Sequence, residues 1–438
     1  MLLYSVALFA AILLASPWWL LRMLWSGRYR DGLAQRLGRV PHGLREFIRN
    51  RPTIWVHAVS VGEVIAATCL IERLDGIDPN LPVVISTTTR TGQELARQRF
   101  DAPHSTGTRV FYYPLDFAWI VRRYLRALQP RILILMESEL WPRMIAEADR
   151  ANLPIVVVNG RVSDRSLPRY RALRRLWRPF VRRLTRVLAQ SEQDKERFLA
   201  IGVPPEKTAV AGNLKYDVRT PRESTITQQL RPNLPPGAMV IVAGSTLDGE
   251  EKYLLQAFRE LLAEFPQLVL ILAPRHPERF QAAQELVQQA QLPCIRRSTW
   301  QPQSIAPGSV FLLDSMGELA SVYSLATIAF VGGSLIPAGG HNPLEPAQFA
   351  VPIVMGPYTE NFRGMVAVLL AQEAIRVTPP ERLTAMFREL LADPLRAQIG
   401  LRARSVFDEH AGASERCFAA IMKILAGNPP SSTAAGPS

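Results

Sequence analysis

Nine short runs of almost unbroken apolar residues, separated by stretches of helical periodicity, constrain this chain more than any other feature. Four are 54–59, 83–87, 132–136 and 154–159; five more are 239–243, 268–273, 310–313, 328–331 and 352–355. A strand with one wet face alternates apolar and polar residues. These runs are apolar at consecutive positions, as in parallel strands covered on both faces. Their alternation with helical patterns predicts doubly wound α/β units. At 438 residues the chain exceeds one ordinary core. The runs fall into two sets on either side of 219–237 (RTPRESTITQQLRPNLPPG), a Pro-, Thr- and Gln-rich stretch read as an interdomain linker. The expected organisation is a membrane anchor at 1–21, an α/β domain at 22–218, a linker at 219–237, a second α/β domain at 238–426 and a disordered tail at 427–438. Two such domains are expected to face each other across a cleft, a preferred place for ligands.

The anchor rests on residues 2–21 (LLYSVALFAAILLASPWWLL), which hold no charge over about one bilayer span of roughly 20 residues. Arg22, Arg28 and Arg30 follow at once, which keeps the rest of the chain on the cytoplasmic side. Trp18, Trp19 and Trp25 sit at interfacial positions. A cleaved signal peptide needs a basic segment before the apolar run, and Met1–Tyr4 has none. Pro17 leaves open a helix lying in one leaflet rather than spanning.

A net charge of +13 calls for an anionic partner. Residues 161–186 carry ten arginines against one acid, Asp164, a local net charge of +9. Leu173, Leu176, Trp177, Phe180, Val181 and Leu184 recur there at helical spacing. Such a basic helix suits an anionic membrane surface or a phosphorylated headgroup; the alternative is a solvated helix with an ordinary core-facing stripe. With an anchor on the same chain, a bilayer is a nearer anion than nucleic acid, and no nucleic-acid partner is expected. Three scattered cysteines (Cys69, Cys294, Cys417) without CxxC spacing exclude a disulfide scaffold and fit a reducing compartment.

Open α/β sheets bind ligands at the carboxyl ends of their strands, and several polar motifs fall there. HAVSVGEV (57–64) follows the first run. Ser60-x-x-Glu63 matches a helix capping box, in which Glu63 only bonds back to a cap amide; the other reading makes Glu63 a general base beside Gly62. ESELWP (137–142) places Glu137 and Glu139 directly after a strongly apolar run, where acids are uncommon unless a ligand, cation or arginine meets them. AGST (243–246), APRHPERF (273–280) and DSMGEL (314–319) each follow a run of the second set. Amides and small residues at such turns form phosphate sites, with Arg275 a candidate clamp. In GGSLIPAGGHNPLEP (332–346), Asn342 reads as a helix N-cap, Pro343 as the first helical residue and Glu345 as either a cap partner or a ligand for sugar hydroxyls. His276 and His341 are further candidate contacts. GxGxxG and GxxxxGK[ST] are absent. With no DxD and no His/Asp/Glu cluster of ligand spacing, neither metal nor cofactor is expected.

HAVSVGEV, MESELWP, GNLKYD, PRHPERF, DSMGEL and GGSLIPAGGHNPLEPAQF stand in the order and spacing of the bacterial 3-deoxy-D-manno-octulosonic acid (Kdo) transferases. The chain resembles that family from the anchor to about residue 425. The resemblance implies a GT-B fold of two Rossmann-like domains, the first binding acceptor and the second CMP-Kdo. It implies inverting transfer of Kdo to the lipid A precursor at the cytoplasmic face of the inner membrane. It places the general base on Glu63 and transition-state stabilisation on Glu137 and Lys215. CMP contacts fall on Pro274, Arg275, Met316, Gly317, Glu318, Asn342, Pro343, Leu344 and Glu345. The competing readings are a GT-B lipid glycosyltransferase using a UDP-sugar and a non-catalytic membrane-tethered binder of anionic lipid.

Overall fold

The computed structural model describes residues 32–49, 51–101, 108–164 and 166–427. The expected anchor lies outside them; no helix among the described residues is long and apolar enough to cross a membrane. The chain forms two compact units. One comprises the described residues up to Val218 with those from Ala411 on, and the other is Arg219–His410.

The first unit is built on β1 (Thr53–His57), β2 (Val83–Thr87), β3 (Thr108–Tyr112), β4 (Pro130–Met136), β5 (Ile155–Gly160), β6 (Arg186–Ala189) and β7 (Thr208–Val210). They form one sheet of order β3-β2-β1-β4-β5-β6-β7, every pairing parallel. Alternate residues feed opposite faces: Trp55, Leu133 and Leu135 enter one core, Ile54, Val56, Ile132 and Ile134 the other. Double burial is why these strands read as unbroken apolar runs.

The second unit repeats the plan with β8 (Met239–Thr246), β9 (Leu268–Pro274), β10 (Cys294–Arg296), β11 (Val310–Leu312), β12 (Ile328–Val331), β13 (Ile353–Met355) and β14 (Ile375–Val377). Their order is β10-β11-β9-β8-β12-β13-β14, again all parallel.

Two expected boundaries differ from what the chain does. The 219–237 stretch is not a bare linker. Ser224 and Thr227 close a reciprocal capping box on the helix Thr225–Leu230, whose Ile226 and Leu230 are buried in the second unit's core. The C-terminal helix Ala413–Gly427 returns to the first unit. Ala413, Cys417, Ile421 and Leu425 fill the core that holds Ile54 and Val56, and the Asp217 carboxylate accepts the amides of Gly412 and Ser414, both at 2.5 Å. Such a cap contributes roughly 1 kcal/mol.

The basic stretch is also not one helix. It forms Leu167–Ala172 and Arg174–Val181, broken at Leu173, before entering β6. Its apolar stripe divides. Val181 and Leu184 are buried and Trp177 and Phe180 pack beside them, whereas Leu173 and Leu176 stand 48% and 66% exposed.

Candidate active site

In a doubly wound sheet, the crevice lies where neighbouring strands send their following loops in opposite directions. In the first unit β1 and β4 are those neighbours, and Glu63 and Glu137 follow them. The turn after β1 leads through Ser60 into the helix Val61–Asp75. Glu63, 7% exposed, folds back so that its carboxylate accepts the Val59 amide at 2.9 Å and the Ser60 hydroxyl at 3.2 Å. The expected capping box is not formed, because the Ser60 side chain caps no helix amide and donates to the acid instead. Burial first, then the charge of Glu137, pushes the Glu63 pKa from 4.5 up to about 8; Glu139 adds to this, while the bonds from Val59 and Ser60 oppose it. A carboxylate poised near neutrality can take a proton from a hydroxyl.

Glu137 stands in the left-handed region at φ 54, its amide donating to Val158 O at 2.9 Å. For a non-glycine residue such a conformation costs about 1–3 kcal/mol and concentrates at functional sites. Lys215 arrives on the short turn Leu214–Asp217. Asn159, itself at φ 57 after the apolar part of β5, accepts the Leu214 amide at 3.0 Å, and Asn213 accepts that of Lys215 at 3.0 Å. Burial lowers the Lys215 pKa, with Arg161 acting in the same sense; Glu137 and Glu63 hold it up. The fold therefore brings together Glu63, Glu137 and Lys215 from three remote segments.

Of the other residues at this rim, the sequence singled out Glu139 but not its partners. Trp141 Nε1 donates to Glu139 at 3.1 Å, and burial raises the Glu139 pKa. Tyr170, on the basic arm, senses the Glu139 charge. His57, in the same motif as Glu63, is structural: wholly buried, stacked on Tyr113 at 3.7 Å and bonded through Nδ1 to Ser86. Burial takes its pKa to about 3, so it stays neutral.

In the second unit β8 and β12 are the diverging neighbours. The loop leaving β12 approaches the end of β8 so closely that a Cβ at Gly332 would lie 2.4 Å from Ser245 O, which only glycine avoids. Pro274 is buried at the end of β9 and Arg275 is exposed beyond it, its amide bonded to Thr246 O at 2.9 Å. The Arg275 charge reaches Glu345, whose pKa is raised by burial and drawn back by Asn342 and Arg275. It also reaches His341, which burial, Arg275 and His276 together lower to about 4. Asn342 Oδ1 accepts the Leu344 amide at 3.1 Å. The short helix is Leu344–Ala347, so Pro343 takes the cap position rather than the first helical one.

Beyond β11, Met316 is 59% exposed and Gly317 has φ 89. Glu318 is held by Arg297 through two bonds of 3.1 Å and by Ser315. Arg297 was not anticipated. Pro274, Arg275, Met316, Gly317, Glu318 and Asn342 to Glu345 all lie at the carboxyl edge of one sheet, on a strand end, loops and a first helical turn, as do Glu63, Glu137 and Lys215 on the other.

The sequence model of a family described as 3-deoxy-D-manno-octulosonic-acid transferase matches residues 31–218. The 3-deoxy-D-manno-octulosonic acid transferase of Haemophilus influenzae is 35% identical over 421 residues, covering 92% of this chain and 93% of that protein. This chain belongs to the Kdo transferase family. Its Bordetella pertussis relative of the same name is 34% identical over 382 residues, covering 85% and 87% of the two chains. The fold is shared more widely than the sequence. A glycosyltransferase from Rickettsia africae, only 12% identical, matches 87% of this Kdo transferase family member and 100% of its own chain with a TM-score of 0.58. The two parallel-sheet units thus resemble those of GT-B glycosyltransferases.

Proposed function

We propose that this chain is an inverting transferase that moves Kdo from CMP-Kdo to the lipid A precursor. The first unit takes the acceptor and the second the donor. The observation that carries this reading is Glu63, lifted to about 8 at the β1/β4 switch point beside Glu137 and Lys215. An acceptor hydroxyl oxygen attacks the ketosidic carbon of Kdo and gives its proton to the Glu63 carboxylate. The bond from that carbon to the CMP phosphate oxygen breaks, and its electron pair leaves with CMP. Positive charge develops on the sugar ring, where Glu137 opposes it. Negative charge develops on the departing phosphate, where Arg275 meets it, while Lys215 serves the transition state from beside Glu63 and Glu137. Asn342, Pro343, Leu344 and Glu345, with Met316, Gly317 and Glu318, would frame the nucleotide. Incubating the purified enzyme with lipid A precursor and either CMP-Kdo or UDP-sugars, with mass spectrometry of the product, tests the reading; transfer from a UDP-sugar alone would replace it with the UDP-sugar alternative. Arg275→Ala should weaken CMP binding by roughly tenfold or more in titration calorimetry, since charged hydrogen bonds contribute about 1.5–3 kcal/mol.

The same reading places the chain on the cytoplasmic face of the inner membrane, held by residues 1–21. Its support is the basic arm. Leu173 and Leu176 project among exposed Arg171, Arg174, Arg175 and Arg178. The arm's Trp177 meets Tyr170 edge-on at 5.0 Å, and Tyr170 borders Glu139. The arm thus adjoins the carboxylates that would receive a phosphorylated lipid. Charge reversal at Arg171, Arg174 and Arg175 should reduce co-sedimentation with anionic vesicles most at low salt, where screening is least, with CMP affinity unchanged. Binding indifferent to both salt and substitution would reduce the arm to a solvated surface.

A further inference from the structure

Glycine-rich turns at a switch point commonly offer their amides to a phosphate. Here those amides are already occupied. Glu250, 0% exposed and immediately before the helix Glu251–Leu261, directs its carboxylate into the loop after β12. One oxygen accepts the amides of Ser334 at 3.0 Å and Leu335 at 2.9 Å. The other accepts Gly333 at 2.7 Å and Leu247 at 2.9 Å. Glu250 therefore ties together the loops leaving the two strands that flank the switch point. The effect passes along the chain: Gly340 N bonds Gly333 O at 2.7 Å and His341 N bonds Gly332 O at 3.0 Å, so the glycine turn fixes the residues directly preceding Asn342.

We propose that Glu250 is a positioning residue for the donor. Its carboxylate is a built-in anion that fills the 333–335 turn, sets the Asn342–Glu345 segment in place, and leaves the nucleotide phosphate to Arg275. This rests on the donor reading above. Glutamine cannot substitute for it. Both carboxylate oxygens accept two amides, so the side-chain NH2 of Gln would face two N–H donors at either position. Alanine would instead leave four converging amides around a space that a small carboxylate fits.

The test uses the full chain as wild type, Glu250→Ala and Glu250→Gln, each with and without sodium formate. Assays run well below each variant's melting temperature. Donor KM and the CMP dissociation constant should rise by up to roughly 100-fold in both variants, as displacement of a binding segment by about an ångström does, while acceptor KM holds. Formate should restore donor KM in the alanine variant and not in the glutamine variant, where the side chain still fills the space. If either variant fails to fold, Glu250→Asp gives the same readout with a shorter acid. A folded alanine variant with wild-type donor KM and CMP affinity overturns the proposal, as does equal rescue of both variants. Wild-type enzyme that binds no CMP would instead sink the donor reading itself, so the two failures are distinguishable.

Discussion

Glu63→Gln should lower turnover by roughly 100-fold or more, the contribution of a positioned general base, with CMP binding and fold retained. In the wild type, the acid limb of kcat against pH should fall away below about 8, because only ionised Glu63 accepts the hydroxyl proton. In the variant that limb should be missing. Stability should move the other way. The folded-state pKa of about 8 lies above the ordinary 4.5, so between these values the unfolded chain is ionised while the folded chain keeps the proton. The group's favourable contribution is complete below about 4.5 and is lost as pH rises through about 8. Glutamine never ionises, so the variant should melt higher than wild type at pH 9 and show no such advantage at pH 4. Loss of activity with gain of stability is a trade that a purely structural Glu63 would not make. Near-normal rates would end the base assignment.

The parts of the fold that were legible in the sequence are those buried on both sides. β1, β2, β4 and β5 in one sheet, and β8, β9, β11, β12 and β13 in the other, correspond to the apolar runs. Of the strands without a run, β3, β7, β10 and β14 are the four sheet edges. Edge strands bury less, are kept short and tolerate charge; three of these carry an arginine, Arg109, Arg296 or Arg376. The fifth, β6, emerges directly from the basic stretch, whose charge masks its four residues. Candidate site residues just after central strands, such as Glu63, Glu137 and Arg275, stood out for the same reason. Spacing alone misjudged Ser60 and Glu63, because a capping box and an acid receiving a serine hydroxyl share one pattern. Glu250 left no local signal, since its partners at Gly333, Ser334 and Leu335 are some 80 residues away. Nor did Arg297 or the return of Ala413–Gly427 to the first core, both set by tertiary pairing.

Glu137→Gln probes how far the three charged groups act as a unit. Stabilising charge on the sugar ring is an electrostatic task, and removing one such group typically lowers kcat about 10²–10³-fold. The pH profile should change as well as the amplitude. Glu137 raises the Glu63 pKa by like-charge repulsion, so its neutralisation should bring the acid limb below about 8. Glu137 also sustains the protonated form of Lys215 against burial; without it, Lys215 should lose its proton at lower pH. Both limbs of the bell should therefore move toward acid, because one carboxylate disfavours the ionised base and favours the protonated lysine at the same time. A pH-rate profile of Glu137→Gln with lowered amplitude but unmoved limbs would separate Glu137 from Glu63 and Lys215 and leave it a binding contact. A shifted bell with near-normal amplitude would assign it to tuning the base and lysine rather than to the sugar cation.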